Sequence, residues 1–386
     1  MITANAERET TRKIESVRDL FEIPDDITYL NCANMSPQLR SVTQAGIEAV
    51  KRKANPWNLT AAEWFSGAEE LRSACAQLFK AEADGIALIP AASYGIAIAA
   101  ANLEIKPGQS IILLDQEFPS NFYAWRELAK RQDAEIRTVQ RQNGENWTAA
   151  VLRSIDASTA IISIPHCHWM DGSAVDLVSV SECARSVGAA IVIDASQSLG
   201  ACPLDLESIQ PDFVVAVGYK WLLGPYGLGY MYVAPKWRDR GTPLEYSWLS
   251  RGGSEDFSKI TYRDDYQPGA RRFDMGEFPQ FVLSPMACAA LKQIQVWGID
   301  QIHQSLSLLT NYVWECAKER GYSVLPRNER LGHMIGIRFP AGVPAGLVKK
   351  LTDAKIYVSL RGDSLRVAPH LYNNRADIDH MFDVLP

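Results

Sequence analysis

The stretch AAIVIDASQSLGACPLDLESIQPDFVVAVGYKWLLGPYGLGYMYV, residues 189–233, decides the fold. It holds two short, β-branched and continuously apolar runs, AAIVID (189–194) and DFVVAV (212–217). Strands buried on both faces read this way, and they belong to parallel or mixed sheets covered by helices. Working outward, IALIP (86–90), SIILLD (110–115) and AIISIP (160–165) repeat the pattern. Between the runs lie segments with helical spacing, at 125–132 and 177–188, the second closed by Gly188 as an expected C-cap. Each run opens into a loop rich in Ser, Gly, Pro, Asp or Gln, and ligands of open α/β sheets collect at such carboxyl-end loops.

This alternation predicts a large α/β domain over residues 60–280 with a mixed, mostly parallel sheet between helices. Residues 281–386 read as a smaller α+β domain. A helical stretch from about 285 leads there into the short strands GHMIGIRF, KIYVSL and SLRVAP, and a last helix starts at about 374. Residues 1–59 form an N-terminal segment with its own helix at about 37–53, packing on the two lobes.

Composition narrows the function classes. The 386 residues carry a net charge of −6, with 47% hydrophobic and 22% charged residues, which suits a sizeable core and excludes disorder as the main state. No basic run offers a footprint for nucleic acid. The start, MITANAERETTRK, has no apolar run of the secretory kind. Gly85 to Leu103 is free of charge over a membrane-like length, yet Pro90, Ser93, Tyr94 and Gly95 interrupt it. It reads as a buried strand, a turn and a buried helix. Seven cysteines without a C-x-x-C pair argue against a disulfide framework and for a reducing cytoplasm.

Neither of the glycine-rich nucleotide fingerprints is present. The informative residues are a carboxylate, an amide and an amine at the ends of successive strands. Asp194 closes AAIVID, Gln197 follows in DASQSLG, and Lys220 follows DFVVAV in VGYKWLLGPYGLG. A strand-end carboxylate backed by apolar residues stays ionised only with a cationic or hydrogen-bonding partner. A lysine among aromatic and glycine residues can be a desolvated amine of the Schiff-base type. Singly, the first serves as a helix cap and the second as a surface charge. Together they meet the needs of pyridoxal 5'-phosphate, an acid for the pyridinium nitrogen and an amine for the aldehyde.

With YLNCANMSP, EFPSNFYAW, VIDASQSLGACPLDL, GYKWLLGPYGLGYMYV, ARRFDMGEF and LRVAPHLYNNRADID, the chain resembles the class V branch of fold-type I pyridoxal-phosphate enzymes. That branch holds small aminotransferases, cysteine desulfurases, isopenicillin-N-epimerase-like proteins and kynureninases. The resemblance implies pyridoxal 5'-phosphate held by Lys220 as a Schiff base, with Lys220 as general acid–base. It implies Asp194 on the pyridine nitrogen, Gln197 on the phenolic oxygen and Phe118 stacked on the ring. It further implies Asn121 on the phosphate or ring substituents, and Ala92, Ser93 and Tyr94 binding the phosphate at a helix N-terminus with help from Tyr219. His168 and Trp169 would line the cofactor's exposed edge. Arg366, and second Arg361, would bind the substrate carboxylate. Glu277 stands where relatives carry a hydroxyl residue lent to the neighbouring subunit's phosphate. Either its backbone N–H makes that contact, or the carboxylate points away and Arg251-Gly252-Gly253 contributes instead.

The resemblance also implies a homodimer with shared sites, and a small amino acid with a keto acid as reactants. The loop VSLRGDSLR lacks the cysteine that desulfurases place there, and Cys316 falls in a helix. Gln197 stands where kynureninases have His. H-W-x-D-G (168–172) and R-x-x-P-H-x-Y-N (366–373) match the epimerase-like and uncharacterised aminotransferase members more closely. Transamination is therefore the expected reaction. Kynureninase-like, β-lyase or epimerase activity, and an inactive binding protein on the same fold, are the alternatives.

Overall fold

The computed structural model describes residues 13–258 and 261–386, so the reading of residues 1–12 as lacking a leader lies outside the described part. Thirteen strands are formed among those residues. The first eight are β1 (Thr28–Tyr29), β2 (Ile86–Ile89), β3 (Ser110–Leu114), β4 (Glu135–Val139), β5 (Thr159–Pro165), β6 (Ala190–Asp194), β7 (Phe213–Val217) and β8 (Gly229–Val233). The last five are β9 (Ser323–Val324), β10 (Ile335–Arg338), β11 (Ile356–Tyr357), β12 (Ser359–Arg361) and β13 (Ser364–Val367).

A seven-stranded sheet in the order β2-β8-β7-β6-β5-β3-β4 forms the centre. Its pairings are parallel except at β8, which runs antiparallel to both β2 and β7. β2, β3 and β7 are buried at every position, which is why they read as unbroken apolar runs. Apolar layers cover both faces of the sheet. The helix Ala92–Asn102 packs across β7 and β6, and Gly95 lets it approach. A Cβ there would sit 2.5 Å from Val215 Cγ1. The helix Leu177–Val187 ends on Gly188 in the left-handed region, as its sequence predicts.

A second, antiparallel sheet has the order β12-β13-β10-β9, and β1 pairs in parallel with β11 beside it. The helical stretch from about 285 is formed of two helices, Leu283–Trp297 and Ile299–Glu319. Gly298 between them takes φ 77°, a conformation that ends one helix and starts the next. The Gly85–Leu103 stretch folds as β2, a turn and a helix. No helix among the described residues is long and apolar enough to cross a membrane.

A buried ion pair fastens the β2 edge of the large sheet. Arg72, on the helix Glu63–Phe79, donates through Nη2 to Asp274 Oδ2 at 2.7 Å, and neither side chain is exposed. Asp274 Oδ1 also accepts the Leu88 amide at 2.7 Å. Removing one member leaves the other charge buried and unpaired, which typically costs about 3–5 kcal/mol. Arg72→Ala is therefore expected to lower the unfolding free energy by about that much in urea titrations. A loss within the range of a surface substitution, about 0.5 kcal/mol, would contradict the role assigned to this pair.

Candidate active site

The carboxyl ends of the large sheet's strands enclose a cleft of about 280 Å³. Ala92, Ser93, Phe118, Asp194, Gln197, Tyr219 and Lys220 all line it. Sequence positions spread over some 130 residues meet there because each follows the end of a strand.

Lys220 occupies the turn between β7 and β8. The Gly224 amide donates to the Gly218 carbonyl at 2.9 Å, and the Gly218 amide to the Leu228 carbonyl at 2.8 Å. The turn abuts the loop after β6 at Gly200, whose φ is 96° and where a Cβ would meet the Trp221 carbonyl at 2.4 Å. Lys220 is 7% exposed, and its Nζ lies 5.4 Å from the centroid of the Phe118 ring. Loss of water pulls the Lys220 amine down to about 8, with Arg366 and Arg361 acting in the same direction and Asp194 opposing.

Asp194 is the last residue of β6 and is 6% exposed. Its Oδ1 accepts the Ser196 amide at 2.9 Å. Gln197 is held from two sides. It donates to the Ala33 carbonyl at 3.1 Å and accepts the Trp221 indole N–H at 3.0 Å. One of its two amide hydrogens remains for a further acceptor.

At the start of the helix Ala92–Asn102 the amides of Tyr94 and Gly95 both donate to the Ala91 carbonyl. Those of Ala92 and Ser93 have no acceptor among the described residues, and no side chain caps them. Two free amides at a helix N-terminus suit an anion. The donor set thus fits pyridoxal 5'-phosphate: free amides for a phosphate, a buried acid, an unpartnered amine and an aromatic ring beside it.

Several expected residues stand elsewhere. Tyr94 does not line the cleft, and its amide is used within the helix. Asn121 is fully buried below the cleft, where its Oδ1 accepts from Trp125 Nε1 at 3.1 Å and from Ser163 Oγ at 2.6 Å. Its backbone amide donates to the Phe118 carbonyl at 2.8 Å and so shapes the Phe118 turn, while its side-chain Nδ2 is buried without an acceptor among the described residues. His168 points away and stacks on Trp147 with 5.2 Å between ring centroids. Alternation explains this, because Pro165, Cys167 and Trp169 face the cleft while His166 lines a different surface. Glu277 is exposed, and Arg251 lies over the Tyr266 ring at 4.0 Å; both stand outside this chain's own cleft, and the contact expected of them is with the phosphate of a second subunit.

Arg366 lies under Trp169, 1% exposed, with Nη1 donating to the Trp169 carbonyl at 2.8 Å. Arg361 is half-buried, its guanidinium carbon 5.7 Å from the Trp169 ring centroid; both arginines adjoin the cleft through Trp169, and neither is among the residues lining it. The sequence reading missed Glu117, Cys167, Ser196 and Tyr226, which also line the cleft. Burial and the neighbouring Asp194 push the Glu117 carboxyl up to about 8. The alternation through 165–169 carried a signal for Cys167; nothing comparable marked Glu117.

Comparison with known proteins agrees with this geometry. The family model for aminotransferase class-V matches residues 28–380. An uncharacterized aminotransferase, YcbU, of Bacillus subtilis is 26% identical over 374 residues, covering 96% of each chain. Isopenicillin N epimerase of Streptomyces clavuligerus is 24% identical, over 96% of this chain and 97% of the relative. Among solved structures, an apo cysteine desulfurase of Thermococcus onnurineus superposes with a TM-score of 0.83 at 19% identity, over 95% of this chain and 96% of that one. The cystine C–S lyase C-DES gives a TM-score of 0.82 at 20% identity, over 93% and 97%. The fold is therefore that of the fold-type I enzymes, and the cofactor of such a chain is pyridoxal 5'-phosphate. The chain belongs to the class V aminotransferase family.

Proposed function

We propose that this protein transfers the amino group of a small amino acid, with Lys220 as the base that handles the proton on the substrate Cα. Pyridoxal 5'-phosphate, when bound, supplies the electron-withdrawing ring that makes this proton acidic. The observation that carries the reading is the buried Lys220 amine, which has no hydrogen-bond partner among the described residues and faces a ligand-sized cleft. Its lowered basicity leaves it neutral at moderately alkaline pH, as an attacking amine and a proton acceptor must be. Bound there, the phosphate would be held by the amides of Ala92 and Ser93, the ring nitrogen would be served by Asp194, and the ring would be covered by Phe118. Arg366 binds the substrate carboxylate.

Amino transfer is favoured over desulfuration by the state of the nearby thiols. Cys167 lines the cleft and Cys32 touches the Lys220 carbonyl. Burial raises both thiols above their ordinary range, so neither provides a thiolate nucleophile. Cys316 lies on the helix Ile299–Glu319, away from the cleft.

A second copy of the chain completes the proposal. Tyr226, on the cleft rim, and Tyr246, Trp248 and Tyr262 are largely exposed, at 67%, 69%, 54% and 98%. Large exposed aromatics of this kind suit an interface.

Three outcomes follow. Apoenzyme mixed with the cofactor should turn yellow at a rate that climbs with pH around a midpoint near 8 and levels off above it, because only the neutral amine of Lys220 attacks the aldehyde. A rate still climbing at pH 10 would place this amine in water. Lys220→Ala should leave the protein folded by circular dichroism and abolish keto-acid release from a panel of amino acids. Turnover retained in that variant, or a panel giving only racemised amino acid, pyruvate or sulfide, would reject amino transfer. Sedimentation should give a dimer that Trp248→Glu dissociates, and a wild-type monomer would remove the shared-site element.

A further inference from the structure

Two cations stand on one face of the small sheet. In the antiparallel pair β12–β13, Ser359 is opposite Arg366 and Arg361 opposite Ser364. Side chains alternate along a strand, so Arg361, two residues on from Ser359, shares the face of Arg366. Such diagonal positions are typically about 7–8 Å apart, within reach of long side chains. Leu365 takes the opposite face, in the apolar core. Both guanidiniums reach Trp169, one at its carbonyl and the other at its ring, and Trp169 is a wall of the Lys220 cleft.

Neither cation has an acidic partner among the described residues. Arg366 leaves Nε and Nη2 buried without an acceptor. Arg361 donates to the Asn34 side-chain oxygen at 3.2 Å and more weakly to the Leu360 carbonyl at 3.4 Å, and its Nε is unsatisfied. All of these acceptors are neutral. A buried guanidinium without a counter-charge is strongly unfavourable, and like charges at neighbouring sheet positions oppose each other. Burial and the charge of Arg361 pull Arg366 down to about 9. One carboxylate satisfies the free Nε–Nη2 fork of Arg366 in a bidentate pair. That leaves the charge of Arg361 unbalanced beside the Trp169 ring, on the same sheet face.

We propose that Arg366 and Arg361 receive two separate anionic groups of one substrate, so that the amino acid used by this protein is a dicarboxylic one. Arg366 takes the α-carboxylate and Arg361 the side-chain carboxylate. The inference rests on the amino-transfer reading and supplies its substrate class.

The test is calorimetric titration of the holoenzyme with succinate, glutarate and butyrate, none of which carries an amino group to transfer. Aspartate and glutamate are compared in parallel with asparagine and glutamine as amino donors. A charge-assisted contact of this kind predicts that the better dicarboxylate binds roughly 10–100-fold more tightly than butyrate. Arg361→Gln should erase that difference and the matching preference for the acidic donor over its amide, and Arg361→Lys should restore part of both. Butyrate binding as tightly as the dicarboxylates, or a preference that survives Arg361→Gln, would overturn the inference. Dicarboxylates that bind selectively while no donor is converted would support it and defeat amino transfer. Donors converted with no acidic preference would do the reverse.

Discussion

The amine of Lys220 gives up its water on folding and gains no hydrogen bond among the described residues in exchange. That loss disfavours its charged form, and the surrounding charges set how far. The amine can be held in this state because its backbone has no freedom to carry it back to solvent. The antiparallel return from β7 to β8 closes on itself through the amides of Gly218 and Gly224. Leu223 takes a left-handed φ of 53°, and Trp221 is wholly buried, its indole fixed on Gln197. The same indole hydrogen bond positions the glutamine that faces the cleft. The lysine turn and the Asp194–Gln197 turn are thus one packed unit.

This unit explains why the site needs the sheet it has. Parallel strands deliver their carboxyl ends to one edge, so β3, β5, β6 and β7 each place a loop at the same rim. β2 reaches that rim as well, because the reversed β8 stands between it and β7. Its loop opens the helix that presents the free amides of Ala92 and Ser93. A single antiparallel strand therefore serves two purposes: it closes the lysine turn and restores the direction needed for an anion-binding helix.

Much of this was legible because burial on both faces writes itself as an unbroken apolar run. β4 escaped, since Glu135–Val139 lies at the sheet's edge and mixes charged with apolar residues. The carboxylate, amide and lysine of the cleft were legible from their positions at strand ends. Tyr94 and His168 fall outside the cleft lining for two physical reasons. A helix start closes its first internal hydrogen bonds at the third residue, which removes the Tyr94 amide. A loop leaving a strand keeps the strand's alternation, which turns Cys167 into the cleft and His168 away from it, onto buried Trp147. Glu117 was invisible because a lone carboxylate beside an aromatic residue carries no pattern until the fold buries it next to Asp194.

The position of Glu117 completes the electrostatics of the cleft. Two carboxyls beside one another in a water-poor site do not both ionise easily, and burial penalises whichever charge is less well supported. Asp194 accepts the Ser196 amide and feels the Lys220 amine, while Glu117 accepts the Phe118 amide through Oε1 and leaves Oε2 unsatisfied. With its carboxyl pushed up to about 8, Glu117 stays neutral at pH 7. The Asp194 carboxylate thus has no second anion beside it on the cleft floor, and two guanidiniums stand against Trp169. A ligand with a cationic ring nitrogen and an anionic substrate meets charges of opposite sign at these two surfaces, and the reversed placement meets like charges at both. The field of the folded chain by itself selects one orientation.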